Sequence, residues 1–198
     1  QGYWEANNIP FRKESDVDFA AKHQIELDEL KDLVKISNLK LLQARSSRVR
    51  PGLDDKVLSG WNGLMLKGLV DAYAAFGESL FLRMAEENAA FLTSKMKEGN
   101  KLFRNYKNSK STIDGYLEDY AAVAQAFISL YQITFNEEWL NEAKSLIDYA
   151  IDSFYDEEEG FFFFTDHNSE ALIARKKEIF DNVIPSSNSI MASNLYDL

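Results

Sequence analysis

Two kinds of helix alternate along this chain, and that alternation restricts its fold more than any other feature. Residues 61–76 carry apolar side chains on nearly every face, with Lys67 and Asp71 as the only charges. A helix of that kind is expected to be buried on both sides. Gly77 follows as a C-cap, and Ser79 as the N-cap of a second helix over 80–97. The second helix is one-sided. Phe81, Met84, Ala85, Asn88, Ala89, Leu92 and Met96 form its stripe, while Arg83, Glu86, Glu87 and Lys95 lie off it.

The pair recurs. Residues 117–134 have no charge after Asp119, and Asn136, Glu137 and Glu138 open another helix. Its stripe is Trp139, Ala143, Leu146, Ile147, Ala150, Ile151 and Phe154. Tyr131 follows Tyr73, and Trp139 follows Phe81, by the same 58 residues. A third inner helix opens at Ser187-Asn188, and a short β-prone piece follows each outer helix, at 101–106 and 160–165. Buried helix, surface helix and short β excursion, repeated about every 60 residues, is the pattern of an α/α toroid. The expected class is therefore all-α, with an irregular helical bundle as the competing reading.

The expected organisation is one partial domain over 1–198. Residues 1–47 form a lead-in, polar and irregular to residue 25, then a flanking helix over 26–46 with Leu27, Leu30, Val34, Leu41 and Leu42 inward. Residues 48–198 supply about two and a half hairpins. Two and a half hairpins do not close a ring of six, and the chain opens at Gln1 without an initiator Met, so a piece of a larger domain is expected. Such a piece would expose an apolar flank suited to self-association.

A formal net charge of −10 argues against nucleic acid as a partner. No cysteine is present, which removes disulfides and thiolate zinc sites. No apolar run reaches the roughly 18 residues a membrane span needs. A cytoplasmic location is expected. Neither His23 nor His167 falls in a metal-ligand spacing, and no Walker A loop, dinucleotide fingerprint or GxSxG elbow occurs, so no metal and no cofactor are expected.

Polar residues crowd the lead-in to each inner helix in three clusters: Asp54, Asp55, Lys56, Trp61 and Asn62; Asp114, Glu118, Asp119 and Tyr120; and Asp181 and Asn188. In a toroid these ends converge on one mouth, where helix dipoles favour anionic groups. Carboxylates, amides and aromatic faces around one concavity suit a polyhydroxylated ligand. Asp55 and Asp119 are the expected acid–base pair, and the other nine residues of the clusters are expected to bind ligand. If two of the acids face each other, glycoside hydrolysis follows, with retention near about 5–5.5 Å and inversion near about 6.5–9.5 Å. The structural alternatives are helix capping by Asp114, Asp119 and Ser187, pairing of Asp54 or Asp55 with Arg48 or Lys56, a core position for Trp61, and a turn at Pro185-Ser186.

Arg48-x-x-Pro51-x-Leu53-Asp54-Asp55-Lys56-x-Leu58-x-x-Trp61-Asn62-Gly63-Leu64-Met65 resembles the signature of the YyaL family, also called the spermatogenesis-associated protein 20 or DUF255 family. Gly2-x-Trp4-Glu5-x-x-Asn8-Ile9, Glu118-Asp119-Tyr120-Ala121 and Pro185-Ser186-x-Asn188-Ser189 resemble its other motifs. The resemblance implies a thioredoxin-like domain followed by an (α/α)6 toroid akin to six-hairpin glycosidases and N-acylglucosamine 2-epimerases. This chain would hold only the first part of that toroid. Asn182, Val183 and Ser187 stand where the family has Gly, Ala and Gly, and a serine narrows a loop that needs close backbone approach. Epimerase-type histidines have no counterpart here, which disfavours sugar epimerisation.

Two functions are expected to compete. One is a carbohydrate-binding toroid that processes its ligand through carboxylates at the inner-helix mouth. The other is a non-catalytic module that docks a thioredoxin-like domain or another protein. An isoprenoid-handling toroid would need a metal-binding Asp-rich helix, for which Asp54-Asp55 alone is weak support.

Overall fold

The computed structural model describes residues 2–4, 7–9, 11–169 and 174–198; Glu5 of the Gly2–Ile9 motif lies outside them. The chain forms two units, 1–54 and 55–198.

In the first unit, β1 (Gly2–Trp4) pairs antiparallel with β2 (Asn7–Ile9), and α1 (Asp16–His23) packs against α2 (Leu27–Ser46). The lead-in is thus not irregular. Ser15 accepts the Asp18 amide at 3.1 Å and starts α1 as an N-cap. On α2, Leu30 is buried and Leu27 and Val34 are half-buried, whereas Leu41 and Leu42 are exposed, against expectation. Length is the reason. An eight-residue helix spans about 12 Å and covers only the first turns of a 20-residue helix about 30 Å long.

The second unit begins with β3 (Val57–Leu58), α3 (Ser59–Phe76) and α4 (Ser79–Lys95). Short strands β4 (Lys97–Glu98), β5 (Lys101–Leu102), β6 (Asn105–Lys107) and β7 (Lys110–Ser111) follow. Then come α5 (Leu117–Thr134), α6 (Glu137–Phe154), β8 (Tyr155–Asp156), β9 (Phe161–Phe162) and α7 (Ser187–Asp197). The two hairpins α3–α4 and α5–α6, with α7 opening a third, reproduce the alternation read from the sequence. α5 is the central inner helix: α3 and α7 flank it and α6 covers it.

That arrangement corrects one expectation. α5 is buried nearly all round, but α3 buries only Ser59, Gly60, Gly63, Leu66 and Val70, leaving Trp61, Met65 and Phe76 exposed. Within this unit α3 packs on one inner helix rather than two. Two outer-stripe residues, Met84 and Ile151, are likewise exposed at the edges of their stripes.

Caps follow local chemistry. Gly77 ends α3 in the left-handed region at φ 70°, its amide donating to the Tyr73 carbonyl at 2.8 Å. Phe135 occupies the same position after α5 at φ 54°. The N-cap of α4 is Glu78 with no side-chain bond, so Ser79 is the first helical residue instead of the cap. Asn136 caps α6 by accepting the Glu138 amide at 3.1 Å.

Three features position the mouth. A Cβ on Gly63 would meet the backbone of Ala122 and Val123 at 2.8 Å, so this glycine lets α3 lie directly against α5. The sheet β3–β6–β7 ties the start of α3 to the hairpin that carries Arg104, and the Ser59 amide donates to the Arg104 carbonyl at 2.9 Å. Asn188 holds β9 against α7: it accepts the Phe162 amide at 2.8 Å and donates to the Phe162 and Glu178 carbonyls, both at 3.0 Å. Among the described residues no helix is long and apolar enough to cross a membrane.

Candidate functional site

The N-terminal ends of α3, α5 and α7 meet around one cleft, as the repeat predicts. Leu58, Gly60, Trp61 and Leu64 line it from α3, Glu118, Asp119 and Ala122 from α5, and Ile184, Pro185 and Ile190 from α7 and its approach. Arg104 and Glu178 complete the lining. The inner part has a volume of about 20 Å³, room for roughly one water. It adjoins an outer depression of about 190 Å³ that shares Glu118, Glu178, Ile184 and Pro185 and adds Phe180.

Arg104 organises the acids. Its Nη1 donates to Glu118 Oε1 at 2.6 Å and to Asp119 Oδ2 at 3.1 Å, and its guanidinium lies 4.8 Å from the Tyr116 ring centroid. Burial opposes the charge on Arg104, but Asp119 and Glu118 outweigh it and keep the side chain cationic. Asp119 is 1% exposed. Its Oδ1 accepts the Gly60 amide at 2.9 Å and its Oδ2 the Tyr116 amide at 2.9 Å. The Tyr116 contact is half of a capping box, with Asp119 at the N3 position of α5. Burial pushes the Asp119 carboxyl above its ordinary value, against the pull of the Tyr116 amide, Arg104 and the Gly60 amide. Asp119 therefore joins the two inner helices from inside the wall. Glu118, the neighbouring carboxylate, is half-buried at the lip.

The remaining expected residues divide between the cleft and the frame. Trp61 lines the cleft and is 72% exposed. Asn62 turns back to the Leu58 carbonyl at 2.8 Å and acts on the helix end. Asp55 is exposed, ion-paired with Lys107, and absent from the lining; that contact holds its carboxyl below the usual range. The proposed acid–base partners thus do not share the cleft wall. Lys56 is exposed beside Asp55, and Asp54 is exposed at the end of the first unit. Asp114 pairs with Lys101 at 2.9 Å.

Tyr120 belongs to the core, not to the mouth. It is 1% exposed, stacks on Tyr149 at 5.2 Å, and its hydroxyl accepts the Leu102 amide at 2.8 Å. One residue is a rotation of about 100° on a helix, which turns Tyr120 away from the face Asp119 uses. Asp181 accepts the Ser186 amide at 2.8 Å and the Ser189 hydroxyl at 3.1 Å, and these bonds lower its pKa. Asn188 is consumed by the β9 and Glu178 backbone contacts, so three-point anchoring takes the place of the expected ligand contact.

Arg104 and Glu178 were not legible beforehand. Arg104 sits in a β-prone piece with no sign of its acid partners 14 and 15 residues later. Glu178 closes the basic run Arg175-Lys176-Lys177 and resembles a solvated charge. Among the described residues no group of three or more His, Cys, Asp or Glu is placed to hold a metal ion.

Comparison with known proteins adds the family. No protein-family model matches the chain. Human spermatogenesis-associated protein 20 is 33% identical over 190 residues, which cover 90% of this chain and 24% of that protein. The chain belongs to the spermatogenesis-associated protein 20 family. It spans about a quarter of the length of such relatives.

Among solved structures, a variant of an α-1,6-mannanase of Salegentibacter superposes with a TM-score of 0.57 at 16% identity, covering 92% of this chain and 51% of that one. A sugar epimerase from a ruminal bacterium superposes with a TM-score of 0.58 at 17% identity, covering 73% and 39%. At those identities the likeness is one of fold. The fold is an incomplete α/α toroid of the six-hairpin glycosidase-like kind, with short β-hairpins.

Proposed function

We propose that the cleft between α3, α5 and α7 binds a carbohydrate-like ligand. The observation that carries this reading is the meeting of three inner-helix N-termini in one cleft that is lined by Glu118 and Glu178 and flanked by the exposed indole of Trp61. Carboxylate oxygens accept hydrogen bonds from sugar hydroxyls, and an exposed indole covers the apolar face of a sugar ring. Carbohydrate-active toroids among the structural neighbours support the reading. The mannanase was solved with α-1,6-mannotriose in a variant described as inactive, in which two adjacent aspartates are replaced by asparagine. This chain carries its own adjacent acids, Glu118-Asp119, at the start of α5. In this reading Glu118 and Glu178 meet the ligand, and Asp119 positions Glu118 through Arg104.

Calorimetric titration of the chain with α-1,6-mannotriose and other uncharged oligosaccharides tests the reading. Binding that Trp61→Ala and Glu118→Gln each weaken by about tenfold supports it. A chain that binds no oligosaccharide removes it.

A second reading draws on the engagement of the acids: Asp55 by Lys107, Asp119 by Arg104 and two amides, Asp181 by the α7 loop. It makes the unit a non-catalytic module whose exposed Trp61 and Met65 face docks the thioredoxin-like domain of the intact protein. Mixing that domain with this chain and following co-elution separates the two, because Trp61→Ala would then abolish complex formation and leave sugar titrations flat.

A further inference from the structure

We propose that this cleft is selective for uncharged sugars and rejects anionic ones such as sugar phosphates and uronates. The inference rests on the carbohydrate reading above and concerns which members of that class the site admits.

Helix N-termini ordinarily attract anions, and two of those at the cleft are already supplied from within the chain. At α5 the carboxylate of Asp119 takes the Tyr116 amide at 2.9 Å. At α7 the carboxylate of Asp181 takes the Ser186 amide at 2.8 Å, and the Ser186 hydroxyl takes the Ser189 amide at 3.2 Å. Arg104 is the only cation among the described lining residues, and it serves Glu118, Asp119 and the Tyr116 ring at once. Its Nη1 is shared by two carboxylates, so its charge is already balanced from within the chain. Among the described residues the Glu178 carboxylate has a contact with the exposed Lys176 at 4.0 Å, of the kind that water screens.

The lining therefore offers Glu118 and Glu178 to a ligand, and its one cation among the described residues is already ion-paired with Glu118 and Asp119, which leaves the acids in excess. Hydroxyl donors satisfy those oxygens, whereas a second anion meets like charge without a counterion. The rim adds uncharged surface. Trp61 is 72% exposed beside the inner part and Phe180 is 82% exposed beside the outer depression. Aromatic faces of this type recognise the C–H faces of sugars whatever their charge, so discrimination is left to the carboxylates.

The test uses the chain with two ligands that share their rings: α-1,6-mannotriose and the same trisaccharide bearing one phosphate. Titrations are run near physiological ionic strength and again at low salt. The expected result is at least about tenfold weaker binding of the phosphorylated form, with a gap that widens at low salt, where like charges are less screened. Glu178→Gln should weaken binding of the uncharged sugar, which loses a charged acceptor, and weaken the phosphorylated form less, because a like charge is removed at the same time, so the gap narrows. Equal or tighter binding of the phosphorylated form overturns the selectivity and leaves the carbohydrate reading standing. Failure of both ligands to bind overturns both.

Discussion

Asp119 Oδ1 accepts the Gly60 amide at 2.9 Å, and a Cβ on residue 60 would lie 2.8 Å from that same oxygen. The bond joins two helices that start 58 residues apart, and it forms only because residue 60 has no side chain. Asp119→Ala would leave the buried Gly60 amide and the half-buried Tyr116 amide without this acceptor and Arg104 short of one partner. A loss of about 3 kcal/mol in urea unfolding is expected. Gly60→Ala should destabilise in the same direction by displacing the carboxylate. A wild-type unfolding midpoint for Asp119→Ala would contradict the assignment of this residue to the frame.

Gly63 makes the companion case. Its hypothetical Cβ would meet backbone atoms of Ala122 and Val123 at 2.8 Å, which cannot rotate aside as a side chain can. Gly63→Ala should therefore cost about 1–3 kcal/mol, with α3 pushed away from α5. Gly68→Ala is the control. A Cβ there meets nothing within 4 Å, and alanine is the better helix former by about 1 kcal/mol. The two variants should move the unfolding midpoint in opposite directions.

Phe135 ends α5 with φ 54°, at the position where Gly77 ends α3 with φ 70°. A non-glycine residue in the left-handed region costs about 1–2 kcal/mol. Phe135 is 77% exposed and touches Tyr131 only edge-on at 6.4 Å, so its side chain returns little. Phe135→Gly should stabilise the chain by up to about 1 kcal/mol, read as a higher unfolding midpoint.

The Asp181 carboxyl is held below its ordinary value by the Ser186 amide and the Ser189 hydroxyl. A depressed folded-state pKa stabilises above the unfolded value, and that contribution is lost as pH falls through the folded value. Wild type should therefore be more stable than Asp181→Asn near neutral pH, and the difference should shrink below about pH 4. Urea midpoints of both proteins measured from neutral to acidic pH check this. A difference that stays constant on acidification would mean that the carboxylate charge does not secure the α7 loop.

The sites that sequence reasoning placed well are those where one residue reports on its own helix. Asn136 reads as the start of a helix and Gly77 as a C-cap because both act on backbone within a turn or two. Trp61 and Glu118 read as mouth residues because they stand at the first turn of an inner helix, and both line the cleft. Asp55 and Asp119 carry the same local signature but separate in space. One reaches Lys107 on β6, and the other is drawn between two helix ends beneath Arg104. Nothing within a few residues of either distinguishes those outcomes.

Helix order and the alternation of inner and outer helices were determined by the sequence alone, because the spacing of apolar residues selects which face of each helix must leave water. The tertiary structure decided what each carboxylate does. Arg104 comes from a hairpin, Asp119 from α5 and Gly60 from α3, and their meeting depends on how closely the helices approach, which no local pattern encodes. It also decided that α5 would be enclosed while α3 kept Trp61 in water. Burial of a helix depends on its neighbours as well as on its own side chains, and only the packed chain supplies the neighbours.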